Sequence, residues 1–328
     1  IFVYMKKNVA VIMGGFSSEK EISLKSGKVI FDNINRSKYN PFKIIVKKES
    51  WIYLNDQSEE SNVNLDDFSI ISNNTKIKLE IAFIIIHGSP GENGLIQSYF
   101  ELKNIPYTGS DSYTSALTFN KRDCLSVLEK HYIPTASSFH INKSDSFKTD
   151  LIIKKVGLPC FVKANRSGSS FGVFKIYKEN ELKESINKAF EYDSEVLIES
   201  FLDGIEVSVG VMNYKNKIKV FGITELITEN DFFDYDAKYN GNSNEITPAN
   251  ISEKQKQIVS DLSIKIYKKL GMKGFTRSEF IIINDTAFFL EINSIPGMTN
   301  ESIFPKQAKM NGVSISQLCD EILQQATA

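Results

Sequence analysis

The chain has 328 residues, 41% of them hydrophobic and 24% charged, so it is long enough for two or three domains that each bury a core. Its formal net charge of −1 excludes a protein that holds nucleic acid through a general basic field. The three cysteines are widely spaced and the apolar runs are too short to span a bilayer. These features argue against a zinc site, a disulfide framework or a membrane protein, and they favour the reducing cytoplasm.

Strand-like and helix-like stretches alternate through the N-terminal third of the chain. A helix is predicted from Glu19 to Asn33, where Ser18 and Glu21 have the spacing of a capping box. This alternation predicts an α/β unit with a mostly parallel sheet. Its strands are predicted at 8–15, 42–48 and 81–88.

Two polar residues follow predicted strands of this unit. Glu19 comes after strand 8–15, where its carboxylate could hold a substrate ammonium or could simply belong to a well-capped helix. His87 ends strand 81–88 and opens the segment HGSPGENG. Open α/β sheets bind ligands at the carboxyl ends of their strands, so this position favours a pocket, although a lone histidine is more often structural.

A glycine- and serine-rich loop separates two strands of the next segment. Lys163 lies in strand 160–164, and the loop RSGSSF precedes strand 172–177. A lysine pointing into a cleft, followed by small residues with available backbone N–H groups, is typical of a phosphate-binding loop; a flexible surface turn is the alternative. It is not a Walker A loop, because GxxxxGK[ST] is absent. The other elements predicted here are helices at 115–131, 147–156 and 180–190 and a strand at 195–200.

The polar, aromatic stretch at 228–250 follows strands 207–213 and 217–226. A solvated loop rarely exposes so many aromatic side chains, so we predict a lid that closes on a site and excludes water, with an ordinary exposed loop as the alternative. Glu199 and Glu206 flank the crossing that precedes these strands. Carboxylates at such a place could accept hydrogen bonds from an adenine amine or from ribose hydroxyls.

Two short strands near the C-terminus carry the strongest pointer to function. Arg277 and Glu279 alternate on the first strand, and Glu291 and Asn293 alternate on the second. Side chains two apart in a strand share a face, so each pair projects from one side. Two carboxylates held close together repel each other and lose hydration, which costs several kcal/mol unless cations or water compensate. An amide oxygen and a guanidinium lie beside them. Hard oxygen ligands of this kind suit Mg²⁺.

A three-residue loop at 284–286 is predicted to join these strands. It pairs Ile283 with Ala287 and sets Glu279 opposite Glu291. The opposite face is then predicted to hold Phe280, Ile282, Phe288 and Leu290.

Several blocks in order along the chain resemble the D-alanine–D-alanine ligases, a family with the ATP-grasp fold. The match runs from about Asn8 to Leu323, and so many blocks in one order are highly specific. The blocks are GGFSSEKEISL, HGSPGENGLIQSYFELKNIPYTGS, TSALTFNK, FVKANRSGSSFGV, DYDAKY, TPA and FLEINSIPGMTNES.

The resemblance implies an α/β architecture, α+β in part, with three domains. These are an N-terminal Rossmann-like parallel-sheet domain over 1–108, a central ATP-grasp subdomain over 109–199, and a C-terminal ATP-grasp subdomain over 200–328 with the metal site and the lid. It implies a cytoplasmic homodimer that joins two D-alanines at the expense of ATP for peptidoglycan precursor synthesis. Neither nucleic acid nor a membrane is an expected partner.

Residue roles follow from the same resemblance, block by block. The implied ATP-binding residues are Lys121, Lys163, Ser169, Ser170 and Lys238 around the phosphates, Glu199, Phe201 and Leu202 at adenine, and Glu206 at ribose. The implied ligands of two Mg²⁺ ions, for which Mn²⁺ could substitute, are Glu279, Glu291 and Asn293. The implied catalytic and substrate-binding residues are Glu19 at the ammonium of the first D-alanine with His87 nearby, Arg277 and the Gly297 N–H at the oxyanion, Ser302 and Ile303 at the second D-alanine, and Tyr239 of the lid reaching Ser169.

Three positions depart from the family pattern. Glu279 stands where the family usually has aspartate, which sets the carboxylate one methylene further from its backbone. Ala164 replaces a usual proline after Lys163, and Ile303 replaces a usual leucine after Ser302. Three readings remain as alternatives: a ligase that forms D-alanyl-D-lactate, an ATP-grasp ligase for other amino acids, and a nucleotide-binding relative with impaired catalysis. Tyr239 favours the dipeptide, because the lid tyrosine is typically replaced in the depsipeptide-forming relatives.

Overall fold

Three larger β-sheets follow one another along the chain in this computed structural model, which describes residues 6–228 and 243–327. The first seven strands are β1 Lys7–Gly14, β2 Tyr39–Val46, β3 Trp51–Leu54, β4 Glu60–Asn62, β5 Ser69–Ser72, β6 Thr75–Lys78 and β7 Ile81–Ile84. The N-terminal sheet has the order β4-β3-β2-β1-β7, and β5 and β6 form a separate hairpin. Strands β2, β1 and β7 are parallel, as predicted, and β3 and β4 add an antiparallel edge.

Helix α1 Lys20–Asn33 packs on β1, and α2 Leu95–Leu102 follows β7. The predicted capping box is wrong: Glu19 is the N-cap and its side chain makes no capping hydrogen bond. The hydroxyl of Ser17 instead accepts a hydrogen bond of 3.2 Å from the Glu19 N–H. The Glu19 carboxylate therefore does not cap the helix.

The helix predicted over 115–131 is two helices, α3 Ser112–Phe119 and α4 Lys121–Glu129. Asn120 separates them with an extended backbone, and its side chain accepts a hydrogen bond from the Asp123 N–H. An asparagine favours such a cap over a helix interior, because its side chain competes with the helical hydrogen bonds. Lys121 consequently stands in the first turn of a new helix.

The central sheet is antiparallel, with the order β10-β9-β11-β8. Its strands are β8 Ser138–Asn142, β9 Cys160–Ala164, β10 Val173–Ile176 and β11 Glu195–Ser200. Helices α5 Thr149–Val156 and α6 Glu179–Ala189 cover its apolar face, burying Ile152, Leu182 and Ile186 completely. Its other face is left for the cleft.

The C-terminal sheet is also antiparallel, with the order β14-β13-β12-β15-β16. Its strands are β12 Ile205–Tyr214, β13 Lys217–Thr228, β14 Ser243–Ile246, β15 Phe275–Ile283 and β16 Thr286–Asn293. Helix α7 Glu253–Lys269 packs on one face, and α8 Ile303–Met310 crosses the other at Gly210 and Gly222, where a Cβ would lie 2.2 Å and 2.8 Å from Gln307. Helix α9 Ile315–Ala326 joins α8 in the core of the N-terminal sheet.

The β15–β16 hairpin corrects the predicted register. Ile283 pairs with Thr286, so the loop is the two residues Asn284 and Asp285, not three. Asn284 has a φ of 54°, the left-handed conformation that tight hairpin loops require. A β-bulge at Leu290 then restores the predicted pairing of Glu279 with Glu291.

The bulge also changes which side chains share the apolar face. Phe289 and Ala287, each 1% exposed, lie with Phe280 in the core, and the predicted positions of Phe288 and Leu290 there are wrong. Leu290 turns to the cleft instead, beside Glu291. Within the described ranges, no helix is long and apolar enough to cross a membrane.

Candidate active site

A cleft of about 470 Å³ lies between the central and C-terminal sheets. It receives side chains from β9, β11, β12, β15 and β16. The predicted site residues that line it are Lys121, Lys163, Ser169, Ser170, Glu199, Phe201, Leu202, Glu206, Glu279 and Glu291. The structure thus collects residues from four separate stretches of the sequence around one space.

A second, smaller pocket of about 70 Å³ adjoins the cleft. Lys121, Ser169 and Glu291 line both spaces, so the small pocket opens off the end of the cleft that the 167–170 loop lines. The predicted residues found in the small pocket alone are Glu19, Arg277 and Asn293. Among the described residues, those that follow strands of the N-terminal sheet line only the small pocket, through Glu19 and Glu92.

Lys163 and Glu199 form a buried ion pair on neighbouring strands, with 2.7 Å between Nζ and Oε2. Burial alone would lower the pKa of Lys163, but the charge of Glu199 and its hydrogen bond outweigh burial and raise that pKa. Glu199 is 2% exposed, and its Oε1 has no hydrogen-bond partner among the described residues. A buried acceptor left in that state is costly unless a ligand donates to it.

Lys121 directs its ammonium group at the glycine- and serine-rich loop. Its Nζ donates a hydrogen bond of 2.6 Å to the Ser167 carbonyl and lies 3.7 Å from Glu291 Oε2. The charge of Glu291 also raises the pKa of Lys163, so lysines from two different elements lie near this carboxylate. Two cations beside a loop of small residues suit a polyphosphate.

The loop itself bends back toward the N-terminal sheet. Ser169 and Ser170 have φ values of 50° and 60°, a strained conformation for residues with a side chain. The Ser169 hydroxyl donates a hydrogen bond of 2.6 Å to Glu19 Oε1. A Cβ on Gly168 would lie 2.9 Å from Glu19 Oε2, so the approach of the loop to this carboxylate depends on glycine there.

His87 lies in the loop after β7 and is only 4% exposed. Its Nδ1 donates to the Ile295 carbonyl at 2.8 Å, and its Nε2 lies 3.2 Å from the Ser26 hydroxyl, which also accepts from the Met298 N–H. Burial lowers the pKa of His87, which favours the neutral ring that this chain of donors and acceptors requires. In this structure both ring nitrogens contact protein, and a contact of His87 with substrate remains a prediction.

Glu92 is a residue of this site that sequence reasoning missed. It is 8% exposed, and its carboxylate accepts from the Gly88 N–H at 2.8 Å and from the Ile295 N–H at 3.2 Å. Burial and the charge of Glu19 raise the pKa of Glu92 to about 8. His87 and Glu92 thus hold both backbone polar groups of Ile295. The available signal was its place in HGSPGENG, two residues beyond a proline that follows a strand end.

Arg277, Glu279, Glu291 and Asn293 lie together on the cleft face, as the alternation predicted. The Arg277 guanidinium donates a hydrogen bond of 2.9 Å to Glu279 Oε1, and Glu279 is 3% exposed. Among the described residues, no three His, Cys, Asp or Glu side chains form a cluster that could hold a metal. The donor set here is two carboxylates and one amide oxygen, which are hard ligands that suit Mg²⁺ together with water and phosphate oxygens.

The segment after β16 carries Gly297 and Ser302 toward the N-terminus of α8. The Ser302 hydroxyl accepts from the Thr299 N–H at 3.1 Å, and a Cβ on Gly297 would lie 2.8 Å from it. Ile303 is 5% exposed, so its side chain packs inside the protein. Lys238 and Tyr239, like most of the predicted lid at 228–250, lie outside the described residues.

Comparisons with known proteins identify the family of the chain. Residues 8–110 match the family model described as D-ala D-ala ligase N-terminus, and residues 127–324 match the model described as D-ala D-ala ligase C-terminus. A D-alanine–D-alanine ligase of Flavobacterium johnsoniae is 52% identical over 98% of this chain and 100% of its own length.

Solved structures extend the likeness to the fold. The D-Ala:D-Ser ligase VanG of Enterococcus faecalis has a TM-score of 0.86 and 30% identity, covering 98% of this chain and 100% of that one. The D-alanine–D-alanine ligase of Bacillus anthracis complexed with ATP has a TM-score of 0.80 and 26% identity, covering 98% and 97%. The chain, matched over both halves and at this identity, belongs to the D-alanine–D-alanine ligase family.

Proposed function

We propose that this protein joins two D-alanines to D-alanyl-D-alanine with hydrolysis of ATP to ADP and phosphate. The observation that carries the proposal is the junction of the two cavities. A nucleotide-sized cleft meets a small polar pocket at Lys121, Ser169 and Glu291, so a phosphate bound at the junction would face whatever the small pocket holds. Glu19 in that pocket offers a carboxylate for the ammonium of an amino acid.

The nucleotide would lie along the large cleft. Glu199 Oε1, buried without a partner in the described chain, would accept from the adenine amine, with Phe201 and Leu202 beside the base and Glu206 at the ribose. Lys121, Lys163 and the 167–170 loop would hold the phosphates. In this role the Lys163 ammonium would interact with a phosphate as well as with Glu199.

Mg²⁺ ions, replaceable by Mn²⁺, would be held by Glu279, Glu291 and Asn293. Their chemistry would be to neutralise phosphate charge during transfer. Arg277 and Lys121 neutralise Glu279 and Glu291 in this structure, which supports a site where two carboxylates face a cation. The Glu279 side chain is long enough to accept a hydrogen bond from Arg277, two residues before it on β15.

The first step would activate a carboxylate, which is otherwise a poor acyl donor. The first D-alanine, oriented by Glu19, would attack the γ-phosphorus of ATP through its carboxylate oxygen, releasing ADP and forming an acyl phosphate. Positioning and charge neutralisation supply most of the catalysis in such transfers. The chain's contribution is to fix the ammonium end at Glu19 and the phosphate end at Lys121 and Lys163.

The second step would form the peptide bond. The amine of the second D-alanine, whose carboxylate faces Ser302, would attack the acyl carbon, and phosphate would leave. Arg277 and the Gly297 N–H would stabilise the tetrahedral oxyanion, a role worth about 3–4 kcal/mol per donor. Water must be excluded meanwhile because it would hydrolyse the acyl phosphate.

The same proposal includes a cytoplasmic homodimer of three domains, divided at about 108/109 and 199/200, that supplies peptidoglycan precursors. The identity of the second substrate is its least constrained element, since VanG is described as a D-Ala:D-Ser ligase. Relatives that are 52% and 50% identical to this chain are D-alanine–D-alanine ligases, which supports the dipeptide.

The test is incubation with ATP and Mg²⁺ together with D-alanine alone, with L-alanine alone, or with D-alanine mixed with D-serine or D-lactate. Phosphate release and product mass are measured. We expect D-alanyl-D-alanine as the main product and no phosphate release with L-alanine alone. Absence of the dipeptide, or a mixed product that dominates at equal concentrations, would overturn the proposal.

A further inference from the structure

Asn165 joins three elements at the phosphate end of the cleft. It is the first residue after β9, which carries Lys163, and it opens the loop that contains Ser167, Gly168 and Ser169. It also meets the start of α4, whose first residue is Lys121. The side chain is 1% exposed, so all of its polar contacts are with protein.

The hydrogen bonds of Asn165 cap helix α4 from outside the helix. Its Oδ1 accepts from the Arg122 N–H at 2.8 Å, and its carbonyl accepts from the Lys121 N–H at 3.4 Å. Asn120, the ordinary N-cap, accepts from the Asp123 N–H at 3.1 Å. The three leading N–H groups of α4 are therefore satisfied by two asparagines, one of them 45 residues distant in sequence.

The orientation of the Asn165 amide is fixed by its partners. Because Arg122 N–H can only donate, it must face Oδ1, and Nδ2 is left to donate to Asn120 Oδ1 at 2.7 Å and to Glu195 Oε2 at 3.0 Å. Both hydrogens and the oxygen are thus used. Aspartate has the same shape but lacks both donors and would face the Glu195 carboxylate, so only asparagine satisfies this position.

Two ion pairs lie beside the hydrogen bonds of Asn165 and tie α4 and the loop to the start of β11. Glu195 on β11 lies 2.7 Å from Arg122 Nη1, and the Asp193 carboxylate receives the Arg166 guanidinium at 2.6 Å. The Arg166 N–H also donates to Asp193 at 2.7 Å. The loop is therefore held at its first two residues, and Lys121 is held at its backbone, by one connected network.

We propose that Asn165 is a positioning residue for phosphate binding, which sets the Lys121 ammonium against the 167–170 loop. The Lys121 Nζ–Ser167 carbonyl contact of 2.6 Å spans the helix and the loop that Asn165 ties together. Without the Asn165 side chain, the Arg122 N–H loses its acceptor and the Asn120 amide oxygen loses a donor, so the first turn of α4, and Lys121 with it, is no longer held against the loop. This inference rests on the proposed function, in which Lys121 holds phosphates of ATP.

The test is a double-mutant cycle on the full chain, with dissociation constants for ATP and adenosine measured by calorimetry at fixed Mg²⁺. We expect Asn165→Ala to weaken ATP binding about tenfold, which corresponds to about 1.4 kcal/mol, and to change adenosine binding less than about twofold. In a Lys121→Ala background the same substitution should change the ATP constant less than about twofold, because the two residues act as one unit.

Asn165→Asp is the second variant and should behave like Asn165→Ala, so a poorly folding alanine variant does not remove the test. Ser314→Ala is the matched control: it removes the side-chain cap of α9, which accepts from the Gln317 N–H at 3.2 Å, and should leave ATP binding unchanged. Equal losses for ATP and adenosine, or additive losses in the two backgrounds, would overturn the inference.

The two proposals fail differently. If the wild type makes dipeptide and Asn165 shows no coupling to Lys121, the positioning role alone is overturned. If coupling is present in ATP binding but no dipeptide forms, the proposed function alone is overturned.

Discussion

Ser169 donates a hydrogen bond of 2.6 Å to Glu19, although 150 positions separate the two residues in the sequence. One comes from the phosphate loop of the central sheet and the other from the turn after β1. The bond therefore joins the group proposed for the amino-acid ammonium to the loop proposed for phosphate.

Ser169→Ala removes that bond to the Glu19 carboxylate. Hydrogen bonds to charged groups contribute about 1.5–3 kcal/mol, so we expect kcat/KM for the first D-alanine to fall roughly tenfold or more. Steady-state kinetics with varied D-alanine measures this loss. Ser98→Ala, which removes a helix-internal hydroxyl bond to the Gly94 carbonyl, is the control and should be unchanged. Unchanged kinetics in Ser169→Ala would mean that Glu19 needs no support from the loop.

Glu279→Ala is expected to raise the Mg²⁺ requirement steeply, while Glu279→Asp keeps most of the activity. Alanine removes a metal oxygen and also leaves Arg277 without the acceptor at 2.9 Å, whereas aspartate retains a carboxylate. Activity is measured across a Mg²⁺ titration. Asp285→Ala, in the loop of the same hairpin, should match the wild type. Equal Mg²⁺ curves for all forms would show that Glu279 binds no metal.

Glu92 gives the folded protein a pH dependence. Burial, with the charge of Glu19, raises the pKa of Glu92 from 4.5 to about 8. Because the folded state holds this proton more tightly, the stabilisation is full below pH 4.5 and is lost as the pH rises toward 8. Glu92→Gln removes the titrating group, so its free energy of unfolding should fall less over that range, by about 1 kcal/mol or more.

Urea unfolding at several pH values measures this difference. Glu101→Gln is the comparison: burial alone would raise the pKa of Glu101, but hydrogen bonds from Ser112 and Tyr107 outweigh it and lower that pKa. The stabilisation from Glu101 is therefore lost as the pH falls, so the free energies of unfolding of wild type and Glu101→Gln should converge or cross in the acidic range instead. Parallel pH profiles for wild type and Glu92→Gln would contradict the assignment.

Phe289→Ala tests the observed hairpin register against the one expected from the sequence. Phe289 is 1% exposed and packs edge-on against Phe280 at 5.8 Å between ring centroids, so its truncation should cost about 3–5 kcal/mol of stability. Phe288→Ala is the matched control and should cost clearly less. Chemical denaturation provides both values, and the reverse order of losses would favour the three-residue loop.

Local periodicity was enough to predict the parallel strands of the N-terminal sheet and the polar face of the β15–β16 hairpin. Arg277, Glu279, Glu291 and Asn293 share the cleft face because alternation along a strand is a backbone property. The loop length was wrong because a bulge compensates for one residue, and the positions before and after it look alike in sequence. Only the packing of Phe289 against Phe280 decides between the registers.

Residues whose role depends on a distant partner were missed for another reason. Glu92 is held by the Ile295 N–H across 203 positions, and Asn165 is defined by the backbone of α4. Nothing in the residues around either one indicates such a partner. The break at Asn120 was missed because the apolar pattern continues through both helices, while the side-chain cap that separates them is a polar contact.

The bulge at Leu290 lets two consecutive residues of β16 face the same space, one apolar and one acidic. A strand of regular alternation would have to place one of them in the core. The number of residues in this strand is therefore constrained, whatever their type. Deleting Leu290 would restore strict alternation and keep Glu291 opposite Glu279. It would also remove the apolar side chain beside Glu291 in the cleft. Small deletions here should thus alter nucleotide binding before they alter metal binding.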